Sequence, residues 1–126
     1  MYEVTSQIQY IIRKCINGLL LGYARWCDIK DLANVRLKTP CDTDEQYFAE
    51  RSKTVFDKTG VRPLTEWDML KVFDDKDIDA VSMAIPNHWH ALATIWGCQS
   101  GKHVHVEKPA CHNMFEGRKM IEAARK

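Results

Sequence analysis

Residues 78–87, Ile-Asp-Ala-Val-Ser-Met-Ala-Ile-Pro-Asn, decide the fold. From Ala80 to Ile85 the residues are nearly all apolar, which predicts a strand buried on both faces of a sheet. The proline and asparagine that follow end this strand and begin a helix, and Gly101 ends that helix. His103–Val106 is the next strand. Strands that alternate with helices imply parallel pairing, so the predicted class is α/β with a parallel sheet.

Polar and ionisable side chains occur at the ends of both of these strands. They lie in residues 85–90, Ile-Pro-Asn-His-Trp-His, and in residues 103–109, His-Val-His-Val-Glu-Lys-Pro. In an open parallel sheet, ligands bind at the carboxyl ends of the strands. We therefore expect the two strand ends to form one binding site.

Other segments carry weaker signals of the same alternation. Val35–Lys38 alternates apolar and polar residues like a short strand, and Pro40 limits that strand or marks a sheet edge. Three residues have the side chains and positions of helix N-caps. They are Asp44, before a helix to about Lys58, Thr65, before a helix from Glu66 to about Phe73, and Asn113, before the last helix.

The first part of the chain has helical periodicity. Apolar residues recur at i, i+3, i+4 and i+7 from Ile8 to Leu20, which predicts an amphipathic helix. Asn17 and Gly18 interrupt the series and can end the helix. No strand is expected before Val35.

The composition is that of an ordinary globular domain. The 126 residues suit one domain, and the net charge of +1 gives no general attraction to nucleic acid or to an anionic membrane. The five cysteines are odd in number and lack Cys-x-x-Cys pairing, which fits a reducing compartment. The apolar stretch from Ile8 to Trp26 contains Arg13 and Lys14 and lacks a signal-peptide cleavage site. We therefore expect a cytoplasmic protein without a membrane partner.

Four short motifs occur in a fixed order: Asp77-Ile-Asp-Ala-Val-Ser82, Pro86-Asn-His-Trp-His-Ala91, Gly101-Lys-His-Val104 and Glu107-Lys-Pro109. Together they resemble the nucleotide-binding half of the Gfo/Idh/MocA oxidoreductases, a family named for glucose-fructose oxidoreductase and inositol dehydrogenase. The resemblance is strong from about Asp74 to Lys126 and weaker from Val35 to Phe73. It implies a Rossmann-like dinucleotide-binding fold, an NAD(P) cofactor and a sugar or polyol substrate.

The resemblance also implies roles for the residues at the strand ends. Lys108 would reach the substrate and nicotinamide and act as the catalytic residue, and Glu107 would contact the nicotinamide ribose. Pro86, Asn87 and His90 match the family's Pro-Asn-x-x-His, which lines that ribose. Two simpler readings stay open: Asn87 as a helix cap and His90 as an ordinary hydrogen-bonded histidine.

Asp42 follows the expected strand at Val35–Leu37. A dinucleotide fold places an acid there on the adenosine ribose hydroxyls, where it would favour NAD over NADP by repelling a 2′-phosphate. Cys41-Asp-Thr-Asp44 is similar to the family's Cys-Asp-x-Asp. An Asp just before a helix can also be only a cap. NAD is therefore the expected cofactor, with Asp42 as one of its contacts.

Two features depart from the family's pattern. The family has a strand that runs into Gly-x-Gly-x-x-Gly, whereas residues 17–22 are Asn-Gly-Leu-Leu-Leu-Gly, whose leucines would crowd a pyrophosphate. We therefore expect residues 1–34 to be a divergent helical segment that replaces the first βα unit, and residues 35–126 to be a partial Rossmann-like domain. Cofactor binding is expected to be impaired. The chain also stops before the family's substrate domain, so a truncated protein with little activity alone is expected.

The favoured function is thus the NAD(P)-binding domain of an oxidoreductase that acts on sugars or polyols. The alternative is a catalytically inactive module that binds a nucleotide or another protein. No metal site is predicted, because no cysteine or carboxylate set joins the five histidines at zinc-site spacing. Nucleic-acid binding is not expected, since the charges are balanced. The oligomeric state is left open.

Overall fold

A computed structural model of the chain describes residues 17–21 and 36–126. Within them, four strands form one parallel sheet in the order β2-β1-β3-β4. The strands are β1 (Asn17–Leu21), β2 (Arg36–Cys41), β3 (Ala80–Met83) and β4 (His103–Val106). The predicted α/β class with a parallel sheet is confirmed.

The helices of the described residues follow the strands in sequence. They are α1 (Phe48–Thr59), α2 (Met69–Asp74), α3 (His90–Gln99) and α4 (Met114–Ala124), with 3-10 turns at Glu45–Tyr47 and Asn87–Trp89. Two of the expected caps are confirmed: Asp44 accepts the Gln46 N–H at 3.0 Å, and Asn113 accepts the Glu116 N–H at 2.9 Å. None of these helices is long and apolar enough to cross a membrane.

The expected helix over Asn17–Leu20 is wrong, because Asn17–Leu21 is strand β1. It lies inside the sheet, where Leu21 pairs with Cys41 on one side and with Met83 on the other. Leu19–Leu21 are therefore strand residues, and the argument that they crowd a phosphate loop no longer applies. The rest of the helix predicted from Ile8, and the loop after Leu21, lie outside the described residues.

The start of helix α2 also differs from the prediction. Asp68, not Thr65, is the N-cap: its carboxylate accepts the Leu70 N–H at 2.9 Å, and the helix begins at Met69. The backbone before it runs beside the outer edge of β2, where Leu64 N–H donates to Lys38 O and Glu66 N–H donates to Pro40 O. This backbone pairing explains the late start, because residues that pair with a strand cannot be helical.

Pro40 lies within β2, at the edge of the sheet. A proline cannot donate to a sheet ladder, so edge positions accommodate it. Its carbonyl still accepts the Glu66 N–H at 3.1 Å. The prediction that Pro40 marks an edge is therefore confirmed, although the strand continues through it to Cys41.

The core lies between the sheet and helices α2 and α3. Its most buried members are at most 2% exposed: Val72, Phe73, Ile78, Val81, Met83 and Ala93. Helix α3 approaches β4 closely at Gly97, where a Cβ atom would lie 2.8 Å from Val104 Cγ2. This close packing holds the last turns of α3 against the start of β4.

Candidate functional site

The carboxyl ends of the strands lie side by side. Leu21 pairs with Cys41 and Met83, and Met83 pairs with Val106. The residues that follow β2, β3 and β4 therefore emerge at one edge of the sheet, here called the carboxyl edge. This is the edge at which open parallel sheets bind ligands.

The ends of β3 and β4 are held together by hydrogen bonds. Glu107 N–H donates to Met83 O at 3.0 Å, which extends the ladder one residue past β4. Beyond it, no backbone hydrogen bond joins residues 84–89 to residues 108–112 in the described part of the chain. The link there is made by a side chain, that of His90.

His90 is the first residue of α3 and is 2% exposed. Its Nδ1 lies 2.7 Å from the Pro109 carbonyl oxygen, and its Nε2 lies 2.8 Å from the Ile85 carbonyl oxygen. Both oxygens can only accept, so a neutral ring donates to one of them and a protonated ring donates to both. The ring thus connects the residue before Pro86 to the residue after Lys108.

Lys108 and Glu107 lie on the exposed side of this connection. The Lys108 backbone N–H donates to Glu107 Oε2 at 3.3 Å, and the Lys108–Pro109 peptide bond is cis. Glu107 is half-buried and Lys108 is exposed. The ammonium group of Lys108 is therefore accessible to a ligand at the carboxyl edge.

Asn87 begins the 3-10 turn before α3, and it is exposed. The turn has Pro86 at its N-cap position and no side-chain cap, and α3 has no side-chain cap either. The reading of Asn87 as a helix cap is therefore wrong. It lies two residues after Ile85, whose carbonyl oxygen is 2.8 Å from His90 Nε2.

Asp42 lies at the same edge but apart from the other residues. It follows β2, which is three strand spacings, about 14 Å, from β4. Its Oδ1 accepts the Asp44 N–H at 3.1 Å, while Asp44 caps the next turn. The structure thus brings together Pro86, Asn87, His90, Glu107 and Lys108, and places Asp42 at the far end of an elongated edge.

Sequence reasoning missed the acidic surroundings of Asp42. A parallel bridge pairs Cys41 with Glu66, and the N–H groups of Asp68 and Trp67 hold the pKa of the Glu66 carboxyl below its usual value. Burial, then the charges of Glu66, Asp42 and Asp68, raises the pKa of the Cys41 thiol to about 12. No local sequence pattern predicts that Glu66 lies beside Cys41, because only the tertiary contact with β2 brings the two together.

The histidines do not gather. Among the described residues, no group of three His, Cys, Asp or Glu side chains could hold a metal ion. His105 Nδ1 instead lies 3.2 Å from Ser82 Oγ, across the β3–β4 pair.

Comparisons with known proteins identify the family and the fold. A family model described as an oxidoreductase family with an NAD-binding Rossmann fold matches residues 45–126. Levoglucosan dehydrogenase from Pseudarthrobacter phenanthrenivorans is 38% identical over 58 residues, which is 46% of this chain and 15% of that protein. A glycosyl hydrolase family 109 protein from Shewanella pealeana is 31% identical over 97 residues, 74% of this chain and 21% of that protein.

A solved structure extends the similarity to the fold. Biliverdin reductase from Synechocystis, in complex with biliverdin and NADP+, is 26% identical with a TM-score of 0.71. The match covers 86% of this chain and 34% of the reductase. The chain thus spans about a third of that protein, and about a fifth or less of the two sequence relatives.

Proposed function

Because the chain belongs to the Gfo/Idh/MocA oxidoreductase family, with its NAD-binding Rossmann fold, we propose that it binds NAD for an enzyme that oxidises a hydroxyl group of a sugar or polyol. The observation that carries the proposal is the His90 connection, which joins the residues after β3 to those after β4 at one edge. The similarity to levoglucosan dehydrogenase supports a sugar-like substrate.

The residues of the carboxyl edge would share the cofactor between them. Asp42 would bind the adenosine ribose at β2, and Pro86, Asn87 and Glu107 would line the nicotinamide ribose at β3 and β4, with His90 holding the segments that carry them. The separation of about 14 Å between β2 and β4 suits an extended dinucleotide rather than a mononucleotide. A carboxylate at Asp42 favours NAD over NADP, since a 2′-phosphate would meet like charge.

Lys108 would be the catalytic residue. The nicotinamide, when bound, supplies the hydride acceptor. Lys108 is exposed at the carboxyl edge, and within the described residues its ammonium group makes no hydrogen bond or ion pair that would hold it away from a ligand. An amine so placed can take up or release the proton of a substrate hydroxyl.

Fluorescence titration of the 126-residue chain with NADH tests the cofactor proposal. We expect saturable binding, weakened about tenfold by Asn87→Ala, the loss expected for one to two hydrogen bonds. Lys119→Met is a matched control for Lys108→Met, because Lys119 is also an exposed lysine. It lies on α4 and pairs with Glu122 at 2.7 Å, so the loss of Lys119 should leave NADH binding unchanged. No binding at millimolar NADH would refute the proposed cofactor site and favour a protein-interaction module.

Turnover with a panel of sugars and polyols tests the catalytic proposal. We propose that the 126-residue chain alone has little activity, because Lys108 would act together with groups of a substrate domain. Turnover by this chain that Lys108→Met abolishes would contradict that view.

We also propose a cytoplasmic location, where the free thiols of Cys41, Cys98 and Cys111 would remain reduced.

A further inference from the structure

We propose that His90 is a positioning residue that sets where Lys108 lies relative to Asn87, and that it acts through two backbone carbonyls rather than by touching the cofactor. The proposal rests on the proposed function for its consequence, but its structural part stands on the described contacts. It changes the role carried over from the family resemblance, in which this histidine lines the ribose.

The first support is the position of the ring. His90 is 2% exposed, and both of its nitrogens lie within 2.8 Å of a carbonyl oxygen. Each ring nitrogen already faces a carbonyl oxygen, so neither is directed at a ligand. His90 therefore has little to offer a ribose directly.

The second support is what the two carbonyls belong to. Ile85 immediately precedes Pro86 and Asn87, and Pro109 immediately follows Lys108. The sheet ladder ends at the bond from Glu107 N–H to Met83 O. Past this bond, the His90 ring contacts a carbonyl on each side, in the segment after β3 and in the segment after β4, so the ring helps to set their separation.

Substitutions at His90 can distinguish the two hydrogen bonds of the ring. An asparagine places its amide nitrogen near the position of Nδ1, and a glutamine places its amide nitrogen near that of Nε2. His90→Asn can therefore keep the bond to Pro109 O, whereas His90→Gln keeps only the bond to Ile85 O. Since Pro109 follows Lys108, the Gln variant should free the lysine loop and the Asn variant should hold it.

Hydrogen exchange without cofactor tests the structural part. In His90→Gln we expect the amides of Glu107 and His112, which donate to Met83 O and Glu116 Oε2, to exchange about five to ten times faster than in wild type, the factor expected for loss of one hydrogen bond. In His90→Asn they should exchange at nearly the wild-type rate. Equal exchange in the two variants, whether fast or slow, would overturn the proposal.

NADH titration of the same variants tests the consequence. We expect His90→Gln to weaken binding about tenfold and His90→Asn to weaken it less, because a misplaced loop lowers the affinity of every group that it carries. Val81→Ala is the control for general destabilisation: Val81 is 2% exposed in β3 and lies away from the loops, so its loss should lower the melting temperature but not the NADH affinity. Equal NADH affinity in the two His90 variants would overturn the positioning role.

The two proposals fail in different ways. If wild type binds no NADH while the Glu107 and His112 amides exchange faster only in His90→Gln, the proposed cofactor site fails and the positioning role of His90 stands. If wild type binds NADH and exchange in the two His90 variants is the same, the cofactor site stands and the positioning role fails.

Discussion

Lys38 and Asp75 join the edge strand β2 to the turn that follows α2. Lys38 Nζ lies 2.8 Å from Asp75 Oδ1 and 2.6 Å from Oδ2, and it also lies 3.2 Å from Asp77 Oδ2. Lys102 Nζ donates to the Asp75 carbonyl oxygen from the start of β4. The turn at Asp75 thus connects β2 and β4 on the side of the sheet opposite the carboxyl edge, which holds the candidate site.

This arrangement predicts a loss of stability in acid. The hydrogen bond from Lys38 holds the pKa of Asp75 below its usual value, and the bond to Asp75 raises the pKa of Lys38. The stabilisation by Asp75 is therefore complete above the unfolded-state pKa of about 3.9 and is lost as the pH falls through the lower folded-state pKa. Asp75→Asn should lower the free energy of unfolding by about 1 kcal/mol at pH 7 and by less at pH 3.

Urea unfolding followed by circular dichroism between pH 3 and pH 7 would measure this difference. Asp77→Asn is the matched control, because the Asp77 side chain is 79% exposed and should contribute less. An Asp75→Asn deficit that does not shrink toward pH 3 would contradict the electrostatic explanation.

Gly97 should tolerate no larger residue. A Cβ there would lie 2.8 Å from Val104 Cγ2, a short branched side chain that cannot turn away without disturbing β4. We expect Gly97→Ala to lower the free energy of unfolding by about 1–3 kcal/mol, despite the higher helix propensity of alanine. Gly117→Ala in α4 is the control, since its Cβ would meet Cys111 Sγ at 3.2 Å, and denaturant unfolding should show a smaller loss or a gain. Equal losses in the two variants would refute the packing argument.

Local signals predicted β3, β4 and the caps at Asp44 and Asn113 well, because an apolar run or a capping side chain acts within a few residues. The same signals failed at β1. Leu19 and Leu20 fit a helical series as well as a strand, and the choice depends on pairing with β2 and β3, which are distant in sequence.

The candidate site shows the same division between local and distant effects. Parallel topology alone predicted that the residues after β3 and β4 would meet at one edge. The reading of His90 as a hydrogen-bonded histidine is confirmed, but its partners could not be predicted, because its bond to Pro109 spans 19 residues and depends on how α3 packs on the sheet. Likewise, no sequence signal indicated that Pro86, and not Asn87, occupies the N-cap position.

Cys41 should be chemically inert in the folded protein. It is 3% exposed, and burial together with nearby carboxylates raises its pKa to about 12, so almost no thiolate forms near neutral pH. Alkylation with iodoacetamide at pH 8, read by mass spectrometry, should spare Cys41 until the protein is unfolded in urea. The half-buried Cys111 is the internal comparison, and labelling of Cys41 in the folded protein at the rate of Cys111 would show the prediction to be wrong.

Asp42 should decide between NAD and NADP. It follows β2 at the carboxyl edge, and the carboxylate of Glu66, which pairs with Cys41 beside it, adds negative charge to the same region. Asp42→Asn keeps an oxygen that can accept the Asp44 N–H but removes the charge that would repel a 2′-phosphate. We expect NADH to bind about tenfold more weakly, the loss of one charge-assisted hydrogen bond, and NADPH to bind no more weakly than before.

Asp44→Asn is the matched control, because asparagine caps the turn at Glu45–Tyr47 as well as aspartate does. In this variant the ratio of NADH to NADPH dissociation constants should not change. If fluorescence titration gives the same ratio for both variants and for wild type, Asp42 does not contact the ribose, and the adenosine end of the cofactor must be bound elsewhere.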